Sequence, residues 1–296
     1  MKIYNQLLLL SVWICLFIVF SCSSDDRKPE TRDLLPEGTF TSGIEGPATD
    51  KQGNLYAVNY GQEGTIGVVH PDGTHGCFIR LPEGSTGNGI RFDRHGNMLV
   101  ADYTGHNILQ IDMQTKDISV LAHEANMHQS NDIALAPSGN LYASDPDWAN
   151  DRGQLWLITP EGEVSLLEAD MGTTNGVEVS PDGKTLYVNE SVQLNVWAYD
   201  MDEKGRIHNK RLFHSFDDHG MDGMRCDREG NLYICRYGKG VVAILTPQGE
   251  LLREVVLKGE KPTNITFGGE ENRTCFVTLQ DRGCFEIFEA LYPGRE

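Results

Sequence analysis

The sequence predicts an all-β fold, a six-bladed β-propeller with about four antiparallel strands per blade around a central channel. Three observations predict it. The first is a repeat: Gly53-Asn54-Leu55-Tyr56 returns as Gly96-Asn97-Met98-Leu99, Gly139-Asn140-Leu141-Tyr142 and Gly230-Asn231-Leu232-Tyr233. A variant stands at Gly183-Lys184-Thr185-Leu186-Tyr187 and a worn copy at Asn272-Arg273-Thr274-Cys275-Phe276. The anchors are spaced 43, 43, 44, 47 and 42 residues apart, so six copies run from about residue 44 onward. A fixed period of this length marks a repeat architecture. The second observation is the glycine content, 32 residues in 296, or about 11% against roughly 7% on average, with no collagen-like period. The third is that no window of 11–18 residues carries a helical period.

Each copy has the same order of elements. An apolar stretch such as Asp132-Ile133-Ala134-Leu135 reads as the first strand, and a turn such as Ser180-Pro181-Asp182-Gly183 ends it. Leu186-Tyr187-Val188 illustrates the second strand. The third strand ends near a second turn of the type Pro71-Asp72-Gly73, Pro160-Glu161-Gly162 or Pro247-Gln248-Gly249. These are hairpin signals, and four short strands per period describe a propeller blade. A solenoid of hairpins is the alternative, but it wants distinct capping repeats. The last copy ends after its third strand, near Glu286 to Leu291, so a strand from the start of the chain, around Thr39 to Ser42, is expected to complete it.

The beginning of the chain reads differently. Lys2 precedes an apolar run from Leu7 to Phe20, the length of a signal h-region and short for a membrane span. It closes on Val19-Phe20-Ser21-Cys22, which resembles a bacterial lipobox. Residues 1–21 are therefore expected to be a lipoprotein signal peptide, and 22–36 an acylated Cys22 with a flexible tether. Residues 37–296 are expected to form the propeller catalytic domain. The expected location is a bacterial cell-envelope membrane, the outer one, with attachment through lipid only. A formal charge of −18 repels phosphate backbones and excludes a general nucleic-acid binder. Five cysteines remain beyond Cys22: Cys77, Cys226, Cys235, Cys275 and Cys284. An odd number cannot all pair internally, no spacing suggests zinc, and small buried hydrophobes is the simplest reading.

One register carries the chemistry. Eight residues before each anchor stand Glu45, Asn88, Asn131, Asn175, Asp222 and Asn264. The first strand of a propeller blade lines the channel, so these six form a ring on the axis. Converging polar side chains are costly when dry and unpaired. Two carboxylates with amide oxygens make a hard, oxygen-only ligand set of the kind calcium takes. The alternative is that Asn, Asp and Gly simply open each strand by turn geometry. That accounts well for Asn-Gly and poorly for Glu45.

Ile44-Glu45-Gly46-Pro47, Ser130-Asn131-Asp132-Ile133, Asn175-Gly176-Val177 with Ser180-Pro181-Asp182-Gly183-Lys184-Thr185-Leu186-Tyr187-Val188, and Met221-Asp222-Gly223-Met224 together resemble the signature phrases of the senescence-marker-protein/regucalcin and gluconolactonase-like family. The resemblance covers roughly residues 40–290. It implies a six-bladed propeller with one divalent cation in the channel, calcium first and zinc, manganese or magnesium as alternatives. It implies that Glu45, Asn131, Asn175 and Asp222 are the ligands, and that Asn88 and Asn264 line the channel and reach substrate. It further implies a small-molecule lactone substrate or a related ester, since such families include sugar lactonases and organophosphate-fluoride hydrolases. Where regucalcin-type sugar lactonases carry arginine two residues before the third-blade asparagine, this chain has Gln129.

His128 and His219 each lie three residues before a ligand position and are candidates for the pocket mouth. Tyr103, Asp102, Asp145 and Arg236, at the far ends of second strands, are channel lining or strand-end groups. Within the expected mechanism the cation polarises a lactone carbonyl, and the attacking water is activated either by Asp222 as the catalytic base that takes its proton or as hydroxide on the cation. No Gly-x-Ser-x-Gly elbow, HExxH, P-loop or Gly-x-Gly-x-x-Gly loop opening a helix offers another chemistry. The rival readings are a non-catalytic binding platform with a structural calcium, and an organophosphate or other ester hydrolase on the same site.

Overall fold

The structure is a computed structural model and describes residues 31–295. Cys22, the signal and most of the expected tether lie outside the described residues. The chain forms six four-stranded antiparallel sheets. A two-residue strand, β1 (Arg32–Asp33), comes first. Blade one is β2 (Phe40–Thr49), β3 (Leu55–Tyr60), β4 (Thr65–Val69) and β5 (His75–Arg80). Blade two is β6 (Gly87–Phe92), β7 (Met98–Asp102), β8 (Asn107–Ile111) and β9 (Ile118–His123). Blade three is β10 (Ile133–Leu135), β11 (Leu141–Asp147), β12 (Arg152–Ile158) and β13 (Val164–Met171). Blade four is β14 (Thr174–Val179), β15 (Thr185–Glu190), β16 (Asn195–Met201) and β17 (Ile207–Ser215). Blade five is β18 (Met224–Cys226), β19 (Leu232–Arg236), β20 (Val241–Leu245) and β21 (Leu251–Val256). Blade six is β22 (Pro262–Gly268), β23 (Thr274–Leu279) and β24 (Cys284–Glu289), completed by β1. The expected fold class is the observed one. Among the described residues the only helical element is the short 3₁₀ turn Glu270–Asn272.

The repeated phrase is a turn with a mechanism. In blades one, two and five, Asp50, Asp93 and Asp227 each accept the backbone N–H and the side-chain amide of the asparagine four residues on. The intervening Gly53, Gly96 and Gly230 hold φ between +83° and +87°, a region open to glycine at no steric cost. In the worn sixth copy Asn272 takes the left-handed conformation instead, at φ 58°, as asparagine tolerates.

Burial grades outward. Strand β14 is buried throughout and the outer strand β17 is mostly exposed. Apolar residues of neighbouring sheets pack face to face; Val58 and Ile66 of blade one, for example, join Ile90 and Val100 of blade two. Six innermost strands, β2, β6, β10, β14, β18 and β22, touch in succession and return to β2, enclosing the channel.

Closure differs from the expectation. Arg32–Asp33, not Thr39 to Ser42, pairs with β24, through Arg32 to Ile287 and Asp33 to Glu286. Phe40 opens the innermost strand of blade one instead, its ring packed on Tyr60 and Phe285. The folded unit therefore reaches back into the segment expected to be a tether. Leu35 is buried there and joins the cluster of Phe40 and Ile44. The closing pair has no apolar pattern because side chains anchor it. Arg282 donates to Asp33 at 2.8 and 3.1 Å, to Glu37 at 2.7 Å and to Glu286 at 2.5 Å. These bonds hold the Asp33 carboxyl down to about 2. Glu286 is fully buried and, among the described residues, otherwise accepts only the Lys258 and Gly259 N–H groups. Arg282→Ala strands that buried charge, so it should cost about 3–5 kcal/mol, read as a lowered urea midpoint. A loss no larger than that of an exposed ion pair would contradict this account of closure.

All five cysteines of the propeller are free, four buried and Cys77 exposed.

Candidate metal centre

The ring residues stand near the starts of the innermost strands, Glu45 midway along the longer β2, where the ladder is broken. Register shifts fall between Glu45 and Ala48, Gly87 and Ile90, Thr174 and Val177, and Pro262 and Asn264. Bulges of this kind re-aim side chains. In blades three and five the ring residues precede the strand and are pinned through their backbones. Asn131 N donates to Ser144 O at 2.9 Å and Asp222 N to Cys235 O at 2.9 Å.

The glycine after most ring residues serves blade-to-blade approach. A Cβ on Gly46, which holds φ +57°, would strike the Asn88 carbonyl, and one on Gly223 would strike the Asn264 side chain. Gly223→Ala should therefore displace Asn264 and cost about 1–3 kcal/mol, checked by chemical denaturation. Wild-type stability in that variant would contradict the close approach.

Four ring side chains act on one another. The Glu45 charge disfavours ionisation of Asp222, while the Asn175 side chain favours it. Asn264 Nδ2 donates to Glu45 Oε2 at 2.9 Å, while its Oδ1 accepts the Ile265 N–H at 2.9 Å. Gly46 N also donates to Glu45 Oε2, at 2.6 Å. Asn264, expected to reach substrate, is thus engaged at both ends as a buttress for Glu45. Asn88 and Asn131 are buried at the same register. No side-chain hydrogen bond engages their amides among the described residues, so both stay available.

The electrostatics ask for a cation. Burial first, then the Asp132 charge, pushes Glu45 up to about 7, against the pull of the Gly46 N–H, the Asn264 amide and Arg225. Burial and then the Glu45 and Asp132 charges push Asp222 well above the usual carboxylate range. Two buried carboxylates that repel each other cannot both ionise without a positive partner. Beside them the Asn175 Oδ1 is buried with no hydrogen-bond partner among the described residues. An unpaired acceptor next to a repelling carboxylate pair fits a hard divalent cation and its oxygen ligands. No group of three or more His, Cys, Asp or Glu among the described residues is arranged to hold a metal ion, so amide oxygens must supply the rest of any ligand set.

The other candidates separate. Asp102 accepts from Ser85 Oγ at 2.8 Å, Asn107 Nδ2 at 2.9 Å and Gly105 N at 3.1 Å, fastening its own loop. Asp145 does the same for the next loop, accepting His128 N, Gln129 N and Trp156 Nε1, and burial raises its pKa. Arg236 is fully buried, stacked on Phe216 at 3.5 Å and bonded to Asp218 at 2.8 Å. These three are strand-end clamps. Gln129 Oε1 accepts the Tyr103 hydroxyl at 2.7 Å, which leaves the Gln129 amide nitrogen free. His128 is exposed and lines a crevice of about 80 Å³ with Arg152, Gln154 and Asp170 on blade three. His219 is exposed beside Asp218, 3.4 Å away.

Sequence reasoning missed the charged layer beneath the ring. Arg91, Glu178 and Arg225 each lie three residues after a ring position and are buried. The same counting that found the ring would have found them. Asp132, one residue after Asn131, sits among them, 3.4 Å from Arg91 and 3.6 Å from Arg225.

Residues 17–281 match the family described as SMP-30/Gluconolactonase/LRE-like region. The gluconolactonase of Zymomonas mobilis is 27% identical over 270 residues, covering 79% of this chain and 75% of that one. The diisopropyl-fluorophosphatase of Loligo vulgaris is 28% identical over 286 residues, covering 86% and 91%. Among solved structures, a calcium-binding regucalcin from Agrobacterium tumefaciens superposes with a TM-score of 0.78 at 22% identity, covering 90% of this chain and 98% of that one. That likeness shows the fold.

Proposed function

Because the chain belongs to the SMP-30/gluconolactonase/LRE-like family, we propose that it is a metal-dependent hydrolase that opens a lactone ring. The observation that carries this reading is the Glu45–Asp222 carboxylate pair beside the unpartnered Asn175 oxygen. Glu45, Asn131, Asn175 and Asp222 would hold one divalent cation, most plainly calcium given an oxygen-only set. When bound, the cation supplies Lewis-acid polarisation of the carbonyl.

This chain's residues do the rest. Asn264 and the Gly46 N–H fix the Glu45 carboxylate. The backbone bond to Cys235 fixes Asp222, and the Asn175 side chain favours its ionised form. The Asp222 carboxylate accepts a proton as water oxygen bonds to the acyl carbon. The ring C–O bond then breaks, and Asp222 returns the proton to the departing alkoxide, leaving a hydroxy acid. Asn88 and Gln129 offer free amides to the hydroxyls of an uncharged substrate.

The test is a pH-stat assay of the purified full chain against sugar and aliphatic lactones, after chelation and again with calcium restored. Calcium-dependent acid release supports the lactonase. The likeness to a fluorophosphatase puts diisopropyl fluorophosphate on the same panel. Turnover of that substrate alone would move the reading to an organophosphate hydrolase. No turnover by folded, metal-loaded protein would leave a binding platform.

The proposal includes an acylated Cys22 holding the enzyme to a cell-envelope membrane, supported by Val19-Phe20-Ser21-Cys22. Cys22→Ser should move the protein from the membrane to the soluble fraction; continued sedimentation with membranes would refute the anchor.

A further inference from the structure

Five charged side chains share the channel floor below the ring. Arg295 Nη2 meets Glu178 Oε1 at 2.6 Å. Arg225 stands between two carboxylates without closing on either, 3.9 Å from Glu178 Oε2 and 3.6 Å from Asp132 Oδ2. Arg91 takes the other Asp132 oxygen at 3.4 Å. Glu178 and Asp132 are each 1% exposed. Arg225 Nη2 and Arg91 Nε are buried with no partner among the described residues, so Arg225 has an unused donor to offer whichever carboxylate lacks a cation.

Arg295 arrives from a strap across the lower end of the channel. Arg228 N donates to Pro293 O at 2.9 Å, Gly294 N to Asn272 O at 2.8 Å and Arg295 N to Cys226 O at 3.1 Å. Its guanidinium also donates to Leu135 O at 3.1 Å. The residue therefore joins the innermost strands of blades three, four and five.

We propose that Arg295 is a positioning residue for the cation site. By occupying Glu178 it leaves Arg225 facing Asp132. Asp132 is the backbone neighbour of Asn131, accepts the Ile133 N–H at 3.0 Å, and places its charge against Glu45 and Asp222. A buried carboxylate stripped of its partner is strongly unfavourable, so without Arg295 the Arg225 guanidinium swings down to Glu178. Asp132 then loses one of its two cations, and the strand start that presents Asn131 shifts. The inference rests on reading the ring as a cation site.

Calcium binding to the purified full chain, measured by calorimetry, tests it. Arg295→Gln should weaken binding by roughly tenfold, the usual size of an outer-layer effect on a metal. Arg295→Lys should recover most of that loss. The double variant Glu178→Gln/Arg295→Gln, which removes the competing carboxylate, should bind as the wild type does, giving a large coupling in the mutant cycle. If Arg295→Gln does not fold, the double variant still decides: it must fold and bind calcium normally. A purely structural role would lower the melting temperature of Arg295→Gln and leave its calcium affinity unchanged, which overturns the proposal. A double variant as weak as the single one overturns it too. Wild-type protein that binds none of calcium, manganese, zinc or magnesium would sink the metal reading and this inference together.

Discussion

Asp222→Asn should lower kcat on the best lactone by about 10³-fold, within the range that a positioned proton acceptor contributes. The amide keeps the shape of the carboxylate and its backbone bond to Cys235 but cannot take a proton from water. The same change removes one of two buried carboxylates that repel each other. Metal-free Asp222→Asn should therefore melt no lower than the metal-free wild type. Loss of turnover with retained or raised stability separates a chemical role from a folding one. Turnover at the wild-type rate would remove Asp222 from the mechanism.

Metal removal should have the second large effect, and its size should depend on pH. Glu45 has an ordinary value of 4.5 and is pushed up to about 7 in the folded, metal-free protein. Between those values the folded state binds more protons than the unfolded state, so metal-free stability should fall as pH rises from about 4.5 to about 7. A divalent cation reverses the loss by compensating the ionised pair. At a free calcium concentration a thousandfold above its Kd, linkage contributes about 4 kcal/mol, or a melting shift of about 10 °C for a chain of this size. The shift should be largest near neutral pH and shrink toward pH 5, where protons compete for the carboxylates. Glu45→Gln should flatten the pH dependence of the metal-free protein. Scanning calorimetry at several pH values, with and without calcium, reads all of this. A calcium shift that grows as pH falls would contradict the assignment of Glu45.

How much was legible depended on how local the cause was. The anchors are set within about four residues, by an Asp–Asn clamp and a glycine at positive φ, so they recur in the sequence. The ring keeps a constant offset of eight residues from them, so it recurs in the sequence as well. Closure was misplaced because its cause is remote: Arg32–Asp33 has no apolar pattern and is held by Arg282, some 250 residues away. The role of the glycines after the ring residues was also hidden. Their lack of a side chain answers to the next blade, which only the assembled ring brings near.

The sequence by itself determined the blade count, the all-β class and the six polar residues of one register, since repeats and turn chemistry are written in near neighbours. The tertiary structure decided which of those six touch, how Glu45 and Asp222 shift each other's protonation, and which charges lie beneath them. It alone brought Arg295 to Glu178, from 117 residues away in sequence. The physical reason is that Coulomb interactions and burial depend on distance through space, and a closed ring of blades sets those distances only once its last strand is in place.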